Sequence, residues 1–434
     1  MVLYGRMRRL LLLFAFSLAV AAVWAQDFDT YFENRTMRID VTHSGNATGK
    51  AYYYNRTVAE PYWAGSRTNL IDRFNYGNHR LVLTDRASGE VIYTIGYCSL
   101  FNEWQHTEEA ERISKSFPES VVFPYPKADA ILELFTVNGR TGEPDKVFEH
   151  HIDPNSYQII TQKPKGESFD VEINGSVESC VDLVLLSEGY ASGQKEQFVQ
   201  DCRFFVESLF AYEPFKSRRN KFNVRAVWCG DGFDDGVSVP GEHIWKNTPL
   251  SSSFYTFDSE RYLMIYDFQT VRDYAATVPY DYIYVISNTE KYGGGGIYNF
   301  YAISSARHSS TKMIYVHEFG HLLMGLGDEY VGGADEMYDL SVEPWEPNLT
   351  TLVNFDSKAW RRMIEADTPI PTPAIIENRN VVGVYEGGGY VSKGVYRPWI
   401  NCMMNNLHIA AGFCPVCIAA MEEYIDFITS GNVE

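Results

Sequence analysis

The chain has 434 residues and a formal net charge of −19, which disfavours contact with the phosphate backbone of nucleic acids. Its length predicts two or three domains with substantial cores, and seven cysteines are too few for a scaffold built from disulfides. The composition therefore indicates an acidic globular protein and excludes nucleic acid as its expected partner.

The first 25 residues have the three parts of a secretory signal peptide. Arg6, Arg8 and Arg9 form a basic start, residues 10–23 form an apolar run, and Ala25 ends a small-residue cleavage site. The apolar run is shorter than the ~20 residues that a membrane-spanning helix needs. We therefore expect a secreted or periplasmic protein, without stable membrane insertion after cleavage, whose formal charge changes from −19 to −22 when three arginines are removed.

Residues 26–160 contain short segments of alternating apolar and polar residues separated by turn signals, as in HRLVLTDRASGEVIYTIGY. This alternation predicts antiparallel strands and hence a β-sandwich-like N-terminal domain. Residues 161–174 are polar and include Pro164 and Gly166, so they are predicted to form an interdomain linker.

The apolar period changes from residue 175 onward. VDLVLLSEGY, KFNVRAVW and YDYIYVIS have the composition of buried strands, and QKEQFVQDCRFFVESLFAY has the 3-and-4 spacing of an amphipathic helix. Strands that alternate with helices predict an α/β layer. The predicted fold class is therefore α+β and multidomain, with a second domain over residues 175–434.

The segment VHEFGHLLMGLGDEY contains a pattern that zinc hydrolases use. A helix through TKMIYVHEFGHLLMGL, capped by Ser309 or Ser310, places His317 and His321 one turn apart on one face, close enough to bind one tetrahedral ion. Glu318 lies beside the first histidine and can act as general base toward a metal-activated water. The same short pattern also occurs by chance in ordinary helices. An apolar helix followed by glycines favours the metal site.

The third ligand is expected just after this helix. Gly325 and Gly327 permit a left-handed residue and a sharp reversal of the chain, which would return Asp328 toward the two histidines. Asp328 is favoured because its short side chain suits a tight turn. Three glutamates remain as alternatives: Glu329, Glu343 and Glu346.

The segment YGGGGIYNFYAISS is predicted to supply an exposed sheet edge along which a substrate binds as an additional strand. Its glycines let a peptide backbone approach closely. The predicted substrate-binding residues are Gly295, Gly296, Ile297 and Tyr298. A flexible hairpin is the alternative interpretation.

Three cysteines occur near the C-terminus, two of them in a C-P-V-C motif that begins an apolar helix ending near Ile428. A disulfide between Cys402 and either Cys414 or Cys417 is expected in an exported protein, with a redox pair or buried thiols as alternatives. A second zinc site is not expected, because only three cysteines cluster there.

The acidic segment DGFDDGVSVPGE, residues 231–242, partly matches a calcium-binding loop. Phe233 stands where such a loop needs an oxygen ligand, and a predicted strand rather than a helix precedes it. The segment is therefore interpreted as a solvated acidic loop.

Three separated motifs occur in the same order as in a known group, namely YGGGGIYNFY, HEFGHLLMGLGDEY, and GVYRPWINCMMNN with FCPVC, and the likeness also takes in LVLLSEGY. Together they span most of residues 181–426 and resemble the IgA-peptidase family of secreted zinc metalloendopeptidases. The resemblance implies a metzincin-like catalytic domain with Zn²⁺ on His317, His321 and Asp328 and with Glu318 as general base. It also implies a methionine turn beneath the metal, formed by Met404 or Met403.

Some metzincins carry an oxyanion-stabilising tyrosine two residues after this methionine, but here Asn406 takes that place if Met404 forms the turn. Three tyrosines are candidates for the missing role: Tyr330, Tyr390 and Tyr396. The immunoglobulin substrate in the family name is not carried over to this chain.

The first functional hypothesis is a secreted zinc endopeptidase that acts on proteins or peptides. The second is a non-catalytic extracellular adhesin or glycan-binding protein with a structural zinc. Glu318 favours the first, because a structural site does not need that carboxylate. An exopeptidase should carry a fixed charge that binds a peptide terminus, and no motif marks one.

Overall fold

The computed structural model describes residues 27–137, 144–332, 338–408 and 411–430. The predicted signal peptide lies outside the described residues. Within those ranges, no helix has both the length and the apolar character needed to cross a bilayer.

The N-terminal part contains two four-stranded sheets that pack around one core. The first has the order β5-β1-β2-β8, with β1 (Phe32–Gly45), β2 (Lys50–Glu60), β5 (Lys115–Pro126) and β8 (Ile160–Thr161). The second has the order β4-β3-β6-β7, with β3 (His79–Asp85), β4 (Val91–Tyr97), β6 (Ala130–Val137) and β7 (Pro144–Ile152). Alternate residues such as Ile39, Leu83 and Leu132 are buried between the sheets. This arrangement is a β-sandwich, and its burial pattern follows the period-two alternation of the sequence.

Three short helices accompany the sandwich: α1 (Phe28–Tyr31), α2 (Leu100–Trp104) and α3 (Glu108–Arg112). The side chains of α2 do not belong to the sandwich core. Leu100, Phe101 and Trp104 pack instead in a cluster with the peptide segments that follow residue 180.

A six-stranded sheet forms the centre of the C-terminal part, with the order β13-β14-β12-β10-β11-β9. Its strands are β9 (Glu167–Glu172), β10 (Val181–Glu188), β11 (Phe222–Trp228), β12 (Tyr282–Ser287), β13 (Gly294–Ile297) and β14 (Tyr301–Ser305). The four inner strands are parallel to one another, and the edge strands β9 and β13 are antiparallel to their neighbours. The buried apolar runs of β10, β11 and β12 agree with the sequence prediction.

Four longer helices and one small sheet complete the C-terminal part. They are α4 (Lys195–Leu209), α5 (Phe268–Ala275), α6 (Thr311–Met324), α7 (Pro415–Thr429), β15 (Tyr385–Gly388) and β16 (Val391–Arg397). Helices α4, α6 and α7 share a core with one face of the six-stranded sheet, while α5 and α2 pack on the other face. The described part of the chain is therefore mixed α+β with several sheets, as predicted.

Strand β9 lies inside the segment that the sequence analysis assigned to a linker. It pairs with β11 from Glu167 to Glu172 and forms one edge of the sheet. Its residues are exposed or half-buried, because an edge strand needs few apolar side chains. Polarity therefore does not separate this strand from a linker in the sequence.

The sandwich and the six-stranded sheet are joined by buried polar contacts. The Arg38 guanidinium is fully buried and pairs with Asp40 at 2.9 Å, with Glu60 at 3.0 Å and with Asp273 of α5 at 2.6 Å. The backbone N–H of Cys98 donates to the carbonyl of Tyr298 at 3.0 Å. This last contact attaches the N-terminal part to the segment directly after β13.

The expected disulfide is not formed. All seven cysteines, each within the described ranges, are free and buried. The Sγ atom of Cys417 lies 3.8 Å from that of Cys402 and 3.5 Å from that of Cys414, whereas a disulfide requires about 2.0 Å.

Candidate metal centre

Helix α6 carries the two histidines and ends where the sequence predicts. Gly325 follows the last helical residue with φ 62°, and its N–H bonds back to the carbonyls of Gly320 and His321. This left-handed conformation is the one that glycine adopts without strain. Gly327 has a different role from the predicted one: a Cβ there would lie 2.5 Å from Cδ1 of Leu349, so close packing rather than a positive φ requires glycine.

The reversal after α6 brings Asp328 to the two histidines. The Nε2 atoms of His317 and His321 are 3.1 Å apart. The Oδ1 atom of Asp328 lies 3.2 Å from the first and 3.4 Å from the second. Ligands of a tetrahedral zinc ion at the usual bond length stand about 3.3 Å apart. The three atoms therefore have the separations that such an ion requires.

The hydrogen bonds of the histidines determine which nitrogen faces the site. Nδ1 of His317 lies 3.1 Å from the carbonyl oxygen of Met403, and Nδ1 of His321 lies 2.5 Å from that of Leu326. A carbonyl only accepts, so each Nδ1 carries a proton, and it is Nε2 of each ring that faces the site and offers a lone pair when the ring is neutral. Among the described residues, nothing donates a hydrogen bond to the buried Oδ1 of Asp328. Three acceptors that face one point fit a cation.

A chain of hydroxyl groups supports the other oxygen of Asp328. Tyr390 donates its hydroxyl proton to Oδ2, Tyr330 donates to the Tyr390 hydroxyl at 3.2 Å, and Arg261 donates to Tyr330 at 3.3 Å. Burial raises the pKa of Asp328, but the charge and contacts of His321 and His317 outweigh it and hold the pKa well below its usual value. The carboxylate is therefore ionised and oriented.

This chain also locates two of the three candidate tyrosines. Tyr330 and Tyr390 stand behind Asp328, with their rings in edge-to-face contact at 5.0 Å. Tyr396 lies elsewhere on β16, where its backbone pairs with Thr350.

Glu318 lies on α6 beneath the glycine-rich strand β13. A Cβ on Gly294 would come within 3.2 Å of Oε1 of Glu318, and one on Gly296 would come within 2.4 Å of the Glu318 carbonyl oxygen. Burial raises the pKa of Glu318, and the nearby His317 and His321 oppose that rise. The glycines thus let the edge strand pass directly over the carboxylate.

The four residues predicted to bind substrate occupy or follow β13. Gly294 pairs with Ser304 and its N–H donates to the Arg261 carbonyl at 3.3 Å, away from β14. Successive residues of an antiparallel strand direct their N–H and C=O groups alternately to one side and the other. The N–H and C=O of Gly296 therefore point in the same direction as those of Gly294, toward the sheet edge. Gly295 bonds toward β14. The side chains of Ile297 and Tyr298 are buried in the core and do not line a cleft.

The candidate methionines are fully buried beside α6. The Met403 carbonyl accepts from His317, and the Met404 carbonyl accepts from the Glu329 N–H at 2.8 Å. The turn that contains both residues therefore contacts the histidine side and the carboxylate side of the site.

The alternative ligands lie outside the histidine pair. Glu329 points to Cys417, with Oε1 at 3.5 Å from Sγ, and Glu346 accepts from the Tyr338 hydroxyl at 2.9 Å. Glu343 accepts from the N–H of Asn354 at 3.1 Å. The glutamates are thus engaged elsewhere, and Asp328 is the carboxylate that the structure brings to the histidines.

Two groups of side chains that could hold a metal ion occur in the described ranges. One is the set of His317, His321 and Asp328, and the other consists of Glu329 with the three C-terminal cysteines. The acidic loop 231–242 contributes to neither: Asp234 accepts from the Asn247 N–H at 2.7 Å, and Asp235 accepts from the Asn288 amide at 2.6 Å.

Two family models match the chain. The model described as IgA Peptidase M64 matches residues 171–379 and 374–425, and the model described as Peptidase M64 N-terminus matches residues 27–148. The first covers more than half of the chain and includes His317, Glu318, His321, Asp328 and the two candidate methionines. The second covers most of the β-sandwich. A search of curated proteins finds no match.

Proposed function

The chain belongs to the IgA Peptidase M64 family, and from this membership and the geometry of the site we propose that it is a secreted zinc-dependent endopeptidase. A peptidase acts on proteins or peptides. The observation that carries the finer proposal is the convergence of two Nε2 atoms and one carboxylate oxygen, at 3.1–3.4 Å from one another. Oδ1 of Asp328 is buried there without a hydrogen bond from the described part of the chain.

Each residue of the site has a distinct task. His317, His321 and Asp328 would hold the ion and leave one position open, as catalytic zinc sites do. A bound zinc ion supplies polarisation of the scissile carbonyl and a lower pKa for a nearby water molecule. Glu318 takes the proton of that water on its carboxylate and returns it to the leaving amine.

The edge strand β13 supports an endopeptidase. A substrate segment can pair with the outward backbone groups of Gly296 as an additional antiparallel strand, which needs no chain terminus. The Arg261 carbonyl already accepts from Gly294, so strand pairing is confined to the Gly296 end. With no side chain at Gly294 or Gly296, the peptide backbone comes close to Glu318.

The test is a Glu318→Gln variant of the purified exported protein. Glutamine keeps the shape of the side chain but cannot take up the proton. We expect zinc content to stay at the parental level while cleavage of an unfolded protein falls by at least ~100-fold, the lower end of what general base catalysis contributes. Glu377→Gln, at an exposed glutamate of a short 3-10 helix, is the matched control and should cleave like the parent.

A Glu318→Gln variant that cleaves as fast as the parent would overturn the endopeptidase proposal. It would favour the adhesin or glycan-binding alternative, in which the zinc is structural.

A further inference from the structure

A second ligand cluster lies beneath the proposed catalytic site. The side chains of Glu329, Cys402, Cys414 and Cys417 are all buried, and each offers one ligand atom within 4.8 Å of the others. The Sγ atom of Cys417 is 3.8 Å from Cys402 Sγ, 3.5 Å from Cys414 Sγ and 3.5 Å from Glu329 Oε1.

These distances fit tetrahedral coordination of one metal ion better than a disulfide bond. Two thiolates on one zinc ion stand about 3.8 Å apart, and a thiolate and a carboxylate oxygen about 3.6 Å apart, at the usual bond lengths. A disulfide would need about 2.0 Å. The three separations that involve Cys417, 3.5–3.8 Å, therefore match those of ligands around one ion, and all four ligand atoms lie within 4.8 Å of one another.

The local structure offers the sulfur atoms a helix N-terminus and backbone N–H donors, both of which favour metal-bound thiolates. Cys414 caps α7 and Pro415 occupies its first turn, so Cys414 and Cys417 lie at the positive end of a 15-residue helix. The N–H of Cys417 donates to Cys414 Sγ at 3.5 Å, and the N–H of Cys414 donates to Cys402 Sγ at 3.3 Å. Such hydrogen bonds stabilise negative sulfur.

The carboxylate of Glu329 is oriented but incompletely satisfied. Asn348 donates to Oε1 at 2.9 Å, while the fully buried Oε2 accepts no hydrogen bond from the described part of the chain. Arg397 is the nearby cation, but its guanidinium donates to the carbonyls of Glu386 and Gly387 instead. A buried carboxylate oxygen without a donor is costly unless a cation compensates it.

We propose that Cys402, Cys414, Cys417 and Glu329 bind a structural Zn²⁺ that is distinct from the ion held by His317, His321 and Asp328. Three soft thiolates select zinc over magnesium or calcium. The net charge of the site equals that of common four-cysteine zinc sites. A disulfide between two of the cysteines would leave one thiol and Glu329 buried without a metal partner.

The structural ion connects the elements that position the catalytic ligands. Glu329 follows Asp328 in the chain and donates its N–H to the Met404 carbonyl. Cys402 precedes Met403, whose carbonyl accepts from His317. One ion thus links the Asp328 segment, the methionine turn and α7.

The first test is metal analysis of the purified full chain with matched variants. We expect about two zinc ions per chain in the parent and in Glu318→Gln, and about one in Cys414→Ser. Cys202→Ser, at a fully buried cysteine of α4, is the control and should keep both. About one zinc in the parent together with an unchanged value in Cys414→Ser would overturn the second site.

Two measurements on the parent protein do not depend on the folding of a variant. After exchange of zinc for Co²⁺, a thiolate site gives intense sulfur-to-cobalt charge-transfer absorption in the near ultraviolet, which a histidine and carboxylate site does not. Thiol titration after unfolding with a chelator and no reductant should find all seven cysteines. Absent charge-transfer absorption, or a count lowered by a disulfide among the three cysteines, would refute the proposal.

These outcomes are separate from the test of peptidase activity. If Glu318→Gln cleaves like the parent but the cobalt signal is present, the endopeptidase proposal fails and the structural site stands. If cleavage depends on Glu318 but the cobalt signal is absent, the structural zinc site is refuted and the endopeptidase proposal stands.

Discussion

Replacing Tyr390 with phenylalanine should weaken zinc binding at the proposed catalytic site without moving the backbone. The substitution removes one hydroxyl, the donor to Oδ2 of Asp328. The backbone around it keeps its own bonds: Tyr390 N–H to the Tyr330 carbonyl at 3.0 Å, and Gly389 N–H to the Asp328 carbonyl at 2.7 Å. The ring contact with Tyr330 also remains.

The magnitude follows from the charge and burial of the acceptor. A hydrogen bond to an ionised group contributes about 1.5–3 kcal/mol, and Asp328 is buried and ionised. Each 1.4 kcal/mol corresponds to about a tenfold change in an equilibrium constant. Loss of the hydroxyl should therefore raise the dissociation constant for the catalytic zinc by ~10–100-fold, which is also the usual effect of removing a group that supports a metal ligand.

The assay is cleavage of an unfolded protein in solutions buffered at a series of free zinc concentrations. The free zinc that gives half-maximal rate should rise, while the rate at saturating zinc stays near the parental value. Tyr385→Phe is the control, since its hydroxyl donates to the carbonyls of Asn378 and Val381, outside the ligand set. An unchanged zinc midpoint with a lower saturated rate would refute this reasoning and assign Tyr390 to the transition state.

Three further predictions concern the ligand, the edge strand and the contact between the two parts of the chain. Asp328→Ala should lose about one zinc ion per chain and all cleavage, as shown by metal analysis and rate measurement, because two histidines alone leave the ion under-coordinated. Gly296→Ala should lower the cleavage rate at least ~10-fold, because its Cβ would lie 2.4 Å from the Glu318 carbonyl oxygen and overpacking costs about 1–3 kcal/mol. The control is Gly49→Ala, whose Cβ would meet no atom closer than 3.9 Å and which should cleave normally. Arg38→Ala should lower the free energy of unfolding by about 3–5 kcal/mol in denaturant titrations, because it leaves buried carboxylates unpaired, whereas Arg35→Ala at a half-exposed ion pair should change it by less than ~1 kcal/mol.

The elements with strong apolar periods were predictable. Strands β10, β11 and β12 and helices α4 and α6 lie where those periods place them, because each buries a continuous face. Edge strand β9 was missed because its exposed residues do not differ from a linker. Gly325 was interpretable from its position after the helix, but the role of Gly327 depends on Leu349, 22 residues later in the sequence.

The second ligand cluster shows where local patterns stop being informative. C-P-V-C was visible, and so was Cys402, but the fourth ligand is Glu329, 88 residues before Cys417. In the sequence alone, that glutamate is an alternative to Asp328 as ligand of the same ion. The structure separates the two: adjacent residues leave the turn in opposite directions, one to the histidines and one to the cysteines.

The hydrogen bond between Cys98 and Tyr298 bears on whether the N-terminal and C-terminal parts of the protein can be produced separately. Phe101, Trp104 and Phe117 from the N-terminal part lie in the same apolar cluster as β12 and β13, so a fragment that begins near residue 175 would expose that cluster to water. We expect such a fragment to aggregate when expressed alone. We therefore expect the two segments matched by separate family models to fold as one unit, and recombination between relatives to exchange them together rather than singly.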